Sequence, residues 1–206
     1  EVKIRQPLVS SYHDVKIISS PPPSSGGIVL IEALNILERY DLKKYERDTY
    51  IHLVVEAMRR AYRDRADYLG DPDFVKVPLK KLSSKMHADL LASSISDTEA
   101  TSSSSLPQIG SRQKGADTTH FSIVDGLGNR VAATLSINIP FGAAITAEGT
   151  GVLLNNEMDD FSAKPFTPNT YGLVGADANA IAPRKRPLSS MTPTFLEGTD
   201  RIAVMG

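Results

Sequence analysis

Thr118 is the residue best placed for chemistry in this sequence. It follows a long polar segment, 96–117, which contains the Ser102 to Ser105 run, Pro107, Gly110 and Gly115, and it opens the first strand-like pattern after that segment. A cut between Asp117 and Thr118 would leave a hydroxyl and its own α-amino group together on a rigid strand, the arrangement of a threonine nucleophile served by an N-terminal amine. An α-amino group has a reference pKa of about 7.7–8.0, so a useful fraction is neutral and basic near neutrality. On the residues alone, an ordinary junction between linker and strand is the simpler reading. A second polar group, Asn155, Asn156, Glu157, Asp159 and Asp160, directly follows an apolar stretch ending at Leu154. Acids and amides at a strand end form either a solvated turn or a ligand site. Ser189 and Ser190, close to Pro187, read as a plain turn.

Other chemistries find little support. No phosphate loop or nucleophile elbow is present, and Gly172 and Gly175 do not complete a dinucleotide fingerprint. His13, His52, His87 and His120 lack paired metal-ligand spacing, so no metal and no cofactor is expected. His120, beside Ser122, is expected to be structural, with the two side chains on opposite faces of their strand. The absence of Cys removes disulfides, a thiol nucleophile and thiolate metal sites. With 23 Lys and Arg against 24 Asp and Glu, the formal net charge is -1, so neither nucleic acid nor an anionic membrane is an expected partner. A small molecule or a protein fits better. No apolar stretch approaches the roughly 20 residues of a spanning helix, and residues 1–7 lack the regions of a signal peptide.

The elements that must position these residues divide the chain. At 206 residues, 41% hydrophobic and 23% charged, it can bury a sizeable core. Pro21 to Gly27 precede an apolar run, Ile28, Ile31, Leu34 and Leu37, which predicts a helix ending near Tyr40. A second helix is predicted over about 49–69, with Leu53, Ala57, Ala61 and Tyr62 inward and Arg59, Arg60, Arg63 and Arg65 largely elsewhere. A shorter helix is expected over 84–94, with Ser83 as its N-cap. After the Ser-rich linker the pattern turns to strands: 121–125 and 130–138 as a hairpin with a loop longer than two residues, then 151–154 and 201–205. Most of the interval between the last two reads as loop. Helices before strands favour an α+β fold.

The run Asp117-Thr-Thr-His-Phe-Ser-Ile-Val-Asp125 resembles the junction at which γ-glutamyltransferases cleave themselves into a large and a small subunit. Leu153 to Pro165, Tyr171 to Gly175 and Arg186 to Met191 are similar to small-subunit motifs in the family's order. Pro21 to Gly27 and Tyr68 to Phe74 resemble the end of the large subunit. The resemblance implies an N-terminal-nucleophile hydrolase fold, an αββα sandwich present here in part, with 1–117 from the large subunit and 118–206 from the small one. It implies cleavage between Asp117 and Thr118, Thr118 as nucleophile, and Ser136, usually Thr in the family, as its supporting hydroxyl. Asn138, Ser189 and Ser190 would contact the α-carboxylate of a γ-glutamyl donor such as glutathione, Glu157 and Asp160 its α-ammonium, and Tyr171 would lie on a lid. Water or amino acids and peptides would be acceptors, the two subunits of one precursor would be each other's partners, and the location would be periplasmic or secreted. The family continues beyond Gly206 into its oxyanion glycines, so this chain alone is expected to be inactive. The alternatives are a related amidohydrolase resembling cephalosporin acylases and a non-catalytic binding or structural fragment.

Overall fold

The computed structural model describes residues 2–106, 118–162, 164, 167 and 175–206. The chain starts with a hairpin, β1 (Leu8–Tyr12) and β2 (Val15–Ser19). Helices α1 (Gly26–Leu37), α2 (Arg47–Tyr68), α3 (Leu79–Leu82) and α4 (Lys85–Ala92) follow. Beyond the linker come the paired strands β3 (Thr118–Val124) and β4 (Arg130–Ser136), and then β5 (Thr194–Glu197) and β6 (Ile202–Met205). One antiparallel sheet has the order β1-β2-β5-β6, so strands from both ends of the chain share it; β3 and β4 form a separate two-stranded ribbon.

Several expectations need correction. The segment before α1 is a hairpin where no strand was expected; Leu8–Tyr12 (LVSSY) and Val15–Ser19 (VKIIS) do not alternate strictly between apolar and polar residues, so the strand pattern is blurred. Residues 151–154 contribute only an isolated bridge, Thr146 to Leu153, whereas β5 was missed within the supposed loop. The cap of α4 is Ser84, whose hydroxyl accepts from the His87 amide at 3.1 Å, rather than Ser83. Most consequential are the arginines of α2. Arg60 is 2% exposed and Arg65 5%, because each finds buried oxygen acceptors that helical periodicity cannot reveal. Arg60 donates to Glu56 and to the Ser94 carbonyl, at 2.7 Å in the latter case.

The apolar periodicity itself works as expected. Ile36, Leu37, Leu53, Ala57, Ala88 and Leu91 form one core between α1, α2 and α4, and Ile28, Leu69, Leu82 and Leu188 form a second. Each fully buried leucine or isoleucine contributes about 1.5–3 kcal/mol, and Leu188 makes the later half of the chain a member of the helical core.

The segments singled out for their composition turn out to be the seam between the halves. Ser24 bridges to Ser189, and the Ser25 amide donates to the Ser189 carbonyl at 2.7 Å. A Cβ on Gly26 would lie 2.7 Å from the Ser190 carbonyl oxygen, and one on Gly70 2.1 Å from that of Ala178, so both positions need the missing side chain for backbone to approach backbone. Asp71, fully buried, accepts from the Arg186 amide and twice from its guanidinium, at 2.8–3.0 Å. The turn after α2 and the Arg186 to Met191 segment are therefore held as one unit.

Candidate functional site

β3 begins at Thr118, opposite Ser136 at the end of β4. That register brings the two hydroxyls together: Thr118 Oγ1 donates to Ser136 Oγ at 3.2 Å, and the Asn138 amide donates to the same oxygen at 2.9 Å. Ser136 Oγ thus accepts from both groups and orients the Thr118 hydroxyl toward the end of β4. Asn138 is buried and has φ of 79°, a backbone shape that asparagine tolerates better than most residues. Its Nδ2 donates to the Asn156 carbonyl at 3.1 Å, and Asn156 Oδ1 accepts from the Ile139 amide. The end of β4 is thus clamped to the Asn155–Asn156 segment, which continues into a 3-10 turn, Glu157–Asp160, with the Asn155 side chain capping the Glu157 amide at 2.9 Å.

Within that turn Glu157 and Asp160 are hydrogen-bonded neighbours. Burial first, and the charge of Glu157 second, push the Asp160 carboxyl up to about 7, against the opposing pull of Arg65 from α2. Arg65 in turn donates from Nη2 to Ser190 Oγ at 3.2 Å and from Nε to Ser25 Oγ at 2.9 Å. The Ser25 hydroxyl donates to the Ser189 carbonyl at 2.8 Å, and Ser189 Oγ accepts from the Met191 amide at 3.1 Å. Contacts therefore run continuously from Thr118 through Ser136, Asn138 and Asn156 to Glu157 and Asp160. The field of Arg65 links that set to Ser189 and Ser190. Tyr171 and Asp117 lie outside the described residues. Arg65 and Ser25 were missed as members; the available signal was an arginine on the periodic face of α2 beside a Ser-Ser-Gly-Gly helix start.

The expectation that His120 and Ser122 lie on opposite faces is overturned. Residues two apart share a face of a strand, and His120 Nε2 lies 3.1 Å from Ser122 Oγ. Ser122 gives its proton to the Val204 carbonyl at 3.0 Å, so its oxygen accepts from His120, and Nδ1 accepts from Thr134 at 2.8 Å. With Nε2 as donor, His120 cannot serve Ser122 as a base; the pair ties β3 to β6.

The separate spacing of the histidines also concealed a cluster. Glu32 of α1, Asp64 of α2 and His87 of α4 are all buried, with one potential ligand atom from each within 4.8 Å of the others, and could hold a metal ion. Burial, followed by the charge of Asp64, pushes the Glu32 carboxyl up to about 10. Glu32 therefore carries a proton near neutrality, and His87 Nε2 is 2.6 Å from Asp64. The open cleft beside Tyr12, Glu38 and Tyr40 contains none of the site residues.

Comparison with known proteins bears on this arrangement. Residues 1–206 match the family described as Gamma-glutamyltranspeptidase. The chain is 50% identical over 195 residues to the glutathione hydrolase proenzyme of Escherichia coli (strain K12), covering 93% of this chain and 34% of that protein. It is 38% identical over 204 residues to the acylase ACY 1 proenzyme of Pseudomonas sp. (strain SE83), again covering 34% of the relative. The crystal structure of cephalosporin acylase from Bacillus halodurans superposes with a TM-score of 0.72 over 95% of this chain and 33% of that one, at 26% identity. The chain thus spans about a third of the length of the relatives it matches.

Proposed function

The chain belongs to the γ-glutamyltranspeptidase family, and from that membership we propose that it carries the processing junction and much of the donor site of a γ-glutamyltransferase and glutathione hydrolase. In this reading the Thr118 hydroxyl first attacks the carbonyl of Asp117. The peptide bond is exchanged for an ester, which water cleaves, and Thr118 becomes a chain start. Its hydroxyl then attacks the γ-carbonyl of glutathione or a related donor, with the freed α-amine taking the proton and returning it to the departing amine. Water, or the amine of an amino acid or peptide, resolves the acyl-enzyme and regenerates the hydroxyl. Segments 1–117 and 118–206 would belong to the large and small subunits of one precursor, in an αββα sandwich of the N-terminal-nucleophile kind, periplasmic or secreted.

The observation that carries the proposal is the hydroxyl pair at the start of β3: Thr118 bound to Ser136, whose oxygen is fixed in turn by the Asn138 amide. Substrate chemistry supports it from the other side. Carboxylates at Glu157 and Asp160 suit an ammonium, while hydroxyls at Ser189 and Ser190 suit a carboxylate, so the two poles of an amino-acid head group have complementary receptors. Tyr171 would close over them as a lid. The test is Thr118→Ala in the full precursor, followed by mass spectrometry and an assay with a γ-glutamyl anilide. One uncut chain without turnover is expected, and a processed, active variant would refute the assignment. An acylase of the cephalosporin type is the second reading, favoured by the structural neighbour. Faster turnover of a glutaryl amide than of glutathione by the mature wild-type enzyme would select it.

A further inference from the structure

Arg65 is nearly fully buried, yet no carboxylate lies within ion-pair distance of it among the described residues. A guanidinium in that position costs free energy unless its donors are used. Here Nε and Nη2 are directed at two hydroxyls, Ser25 and Ser190. The consequence for each serine differs. Ser25 has a nearby acceptor, the Ser189 carbonyl at 2.8 Å, and spends its proton there. Ser190 is exposed, and its oxygen is occupied from behind by the arginine, so its own proton points away from α2. The adjacent Ser189 is set in the same sense, because its oxygen accepts from the Met191 amide. A serine hydroxyl can be donor or acceptor, and a cationic donor already on its oxygen favours donation of its own proton over further acceptance.

We propose that Arg65 is a positioning residue that fixes Ser190 as a hydrogen-bond donor toward the α-carboxylate of the donor substrate. The proposal rests on the reading of Ser189 and Ser190 as the carboxylate receptor. It assigns the positive charge behind that receptor to α2, one hydroxyl removed from the substrate. The same guanidinium opposes the acidic neighbours of Asp160, Glu157 and Asp159, in their effect on its carboxyl. One side chain therefore stands behind both poles of the head group: it polarises the hydroxyl that meets the carboxylate and keeps available the carboxylate that meets the ammonium.

The experiment compares the mature wild-type enzyme with Arg65→Met, Arg65→Lys, Ser190→Ala and the Arg65→Met, Ser190→Ala double variant. Substrates are a γ-glutamyl anilide and the γ-aminobutyryl anilide, which lacks only the α-carboxylate. Measured well above pH 7, where Asp160 stays ionised with or without the arginine, Arg65→Met is expected to raise KM for the γ-glutamyl anilide roughly 10- to 100-fold, the size of a lost charge-assisted bond, with kcat changed less than about 3-fold and the γ-aminobutyryl anilide affected less than about 2-fold. Arg65→Lys should recover part of the loss. In the Ser190→Ala background the arginine should matter little, because the two act as a unit. The acid limb of kcat/KM should also move to higher pH in Arg65→Met, since Asp160 loses its opposing charge. Equal losses on both substrates, or losses that add to those of Ser190→Ala, would overturn the proposal and leave Arg65 as a scaffold. Should Arg65→Met fail to mature, Arg65→Lys against Ser190→Ala decides by the same additivity criterion. A wild-type enzyme that does not turn over the γ-glutamyl anilide would instead overturn the functional reading itself.

Discussion

Two acid clusters lie on different sides of one helix. Asp64 and Arg65 are consecutive on α2, and about 100° of helical turn separates them. Asp64 points into the helical core with Glu32 and His87, and Arg65 points to the seam with Ser190 and the Glu157–Asp160 turn. Each cluster contains a carboxyl raised by burial and by a second acid. In the core, the elements around the acids are three packed helices, and a proton on Glu32 removes one of the two carboxylate charges. At the seam, the acids sit on a short turn, with Arg65, which also donates to Ser190, holding Asp160 nearer to ionisation. A raised carboxyl in a closed core is a structural proton store; one at a polar, open strand end can exchange its proton for a cationic ligand.

That contrast can be broken by substitution. Asp160→Ala in the full enzyme should lower kcat/KM for γ-glutamyl donors by roughly a hundredfold or more, yet affect glutaryl donors, which lack the α-ammonium, far less; equal losses would place Asp160 with the structural acids. Asp64→Ala should do the reverse. It leaves His87 and Glu32 without their shared partner, so a loss of about 2–4 kcal/mol in unfolding free energy is expected, with kcat/KM of the folded fraction unchanged. Denaturant unfolding and steady-state kinetics on the same samples separate the two.

The pH dependences sharpen the comparison further. Since folding raises the Glu32 carboxyl to about 10, the folded state holds a proton that the unfolded chain has released above its ordinary range. This term therefore favours folding less and less as pH rises from there toward 10. Glu32→Gln keeps a donor for Asp64 without that proton, so its melting temperature should fall less than that of wild type between about pH 6 and about pH 9; parallel curves would deny the protonated state. For Asp160, at about 7, the effect should appear in catalysis: kcat/KM for a γ-glutamyl donor should fall as pH drops through that value. The smallest effect is expected at Ser136→Thr, which retains the hydroxyl and restricts its rotamers. Turnover should change less than about 3-fold, and a large loss would show that Ser136 does more than orient Thr118.

The features visible in the sequence were those carried by local pattern. The apolar spacing of α1 and α2, the polar segment ending before Thr118, the hairpin of β3 and β4 and the acid turn after Leu154 each leave a signature within a few residues. Ser189 and Ser190 had none, because their setting is made by Ser24, Ser25 and Gly26, more than 160 positions earlier. Arg65 was hidden for the opposite reason. A charged residue near an apolar stripe is usually solvated, and only the arrival of Ser190 and Asp160 from the far half makes burial tolerable. The Glu32, Asp64 and His87 cluster is likewise assembled by three helices from separated positions. β1, β2 and β5 lack a clean alternation of apolar and polar residues.

The measurement that bears most directly on the account is mass spectrometry of the mature enzyme trapped with a γ-glutamyl affinity label. A chain beginning at Thr118, with the label on that residue, is expected. An active enzyme in which the bond between Asp117 and Thr118 is intact, or a label carried by any other residue, would contradict it.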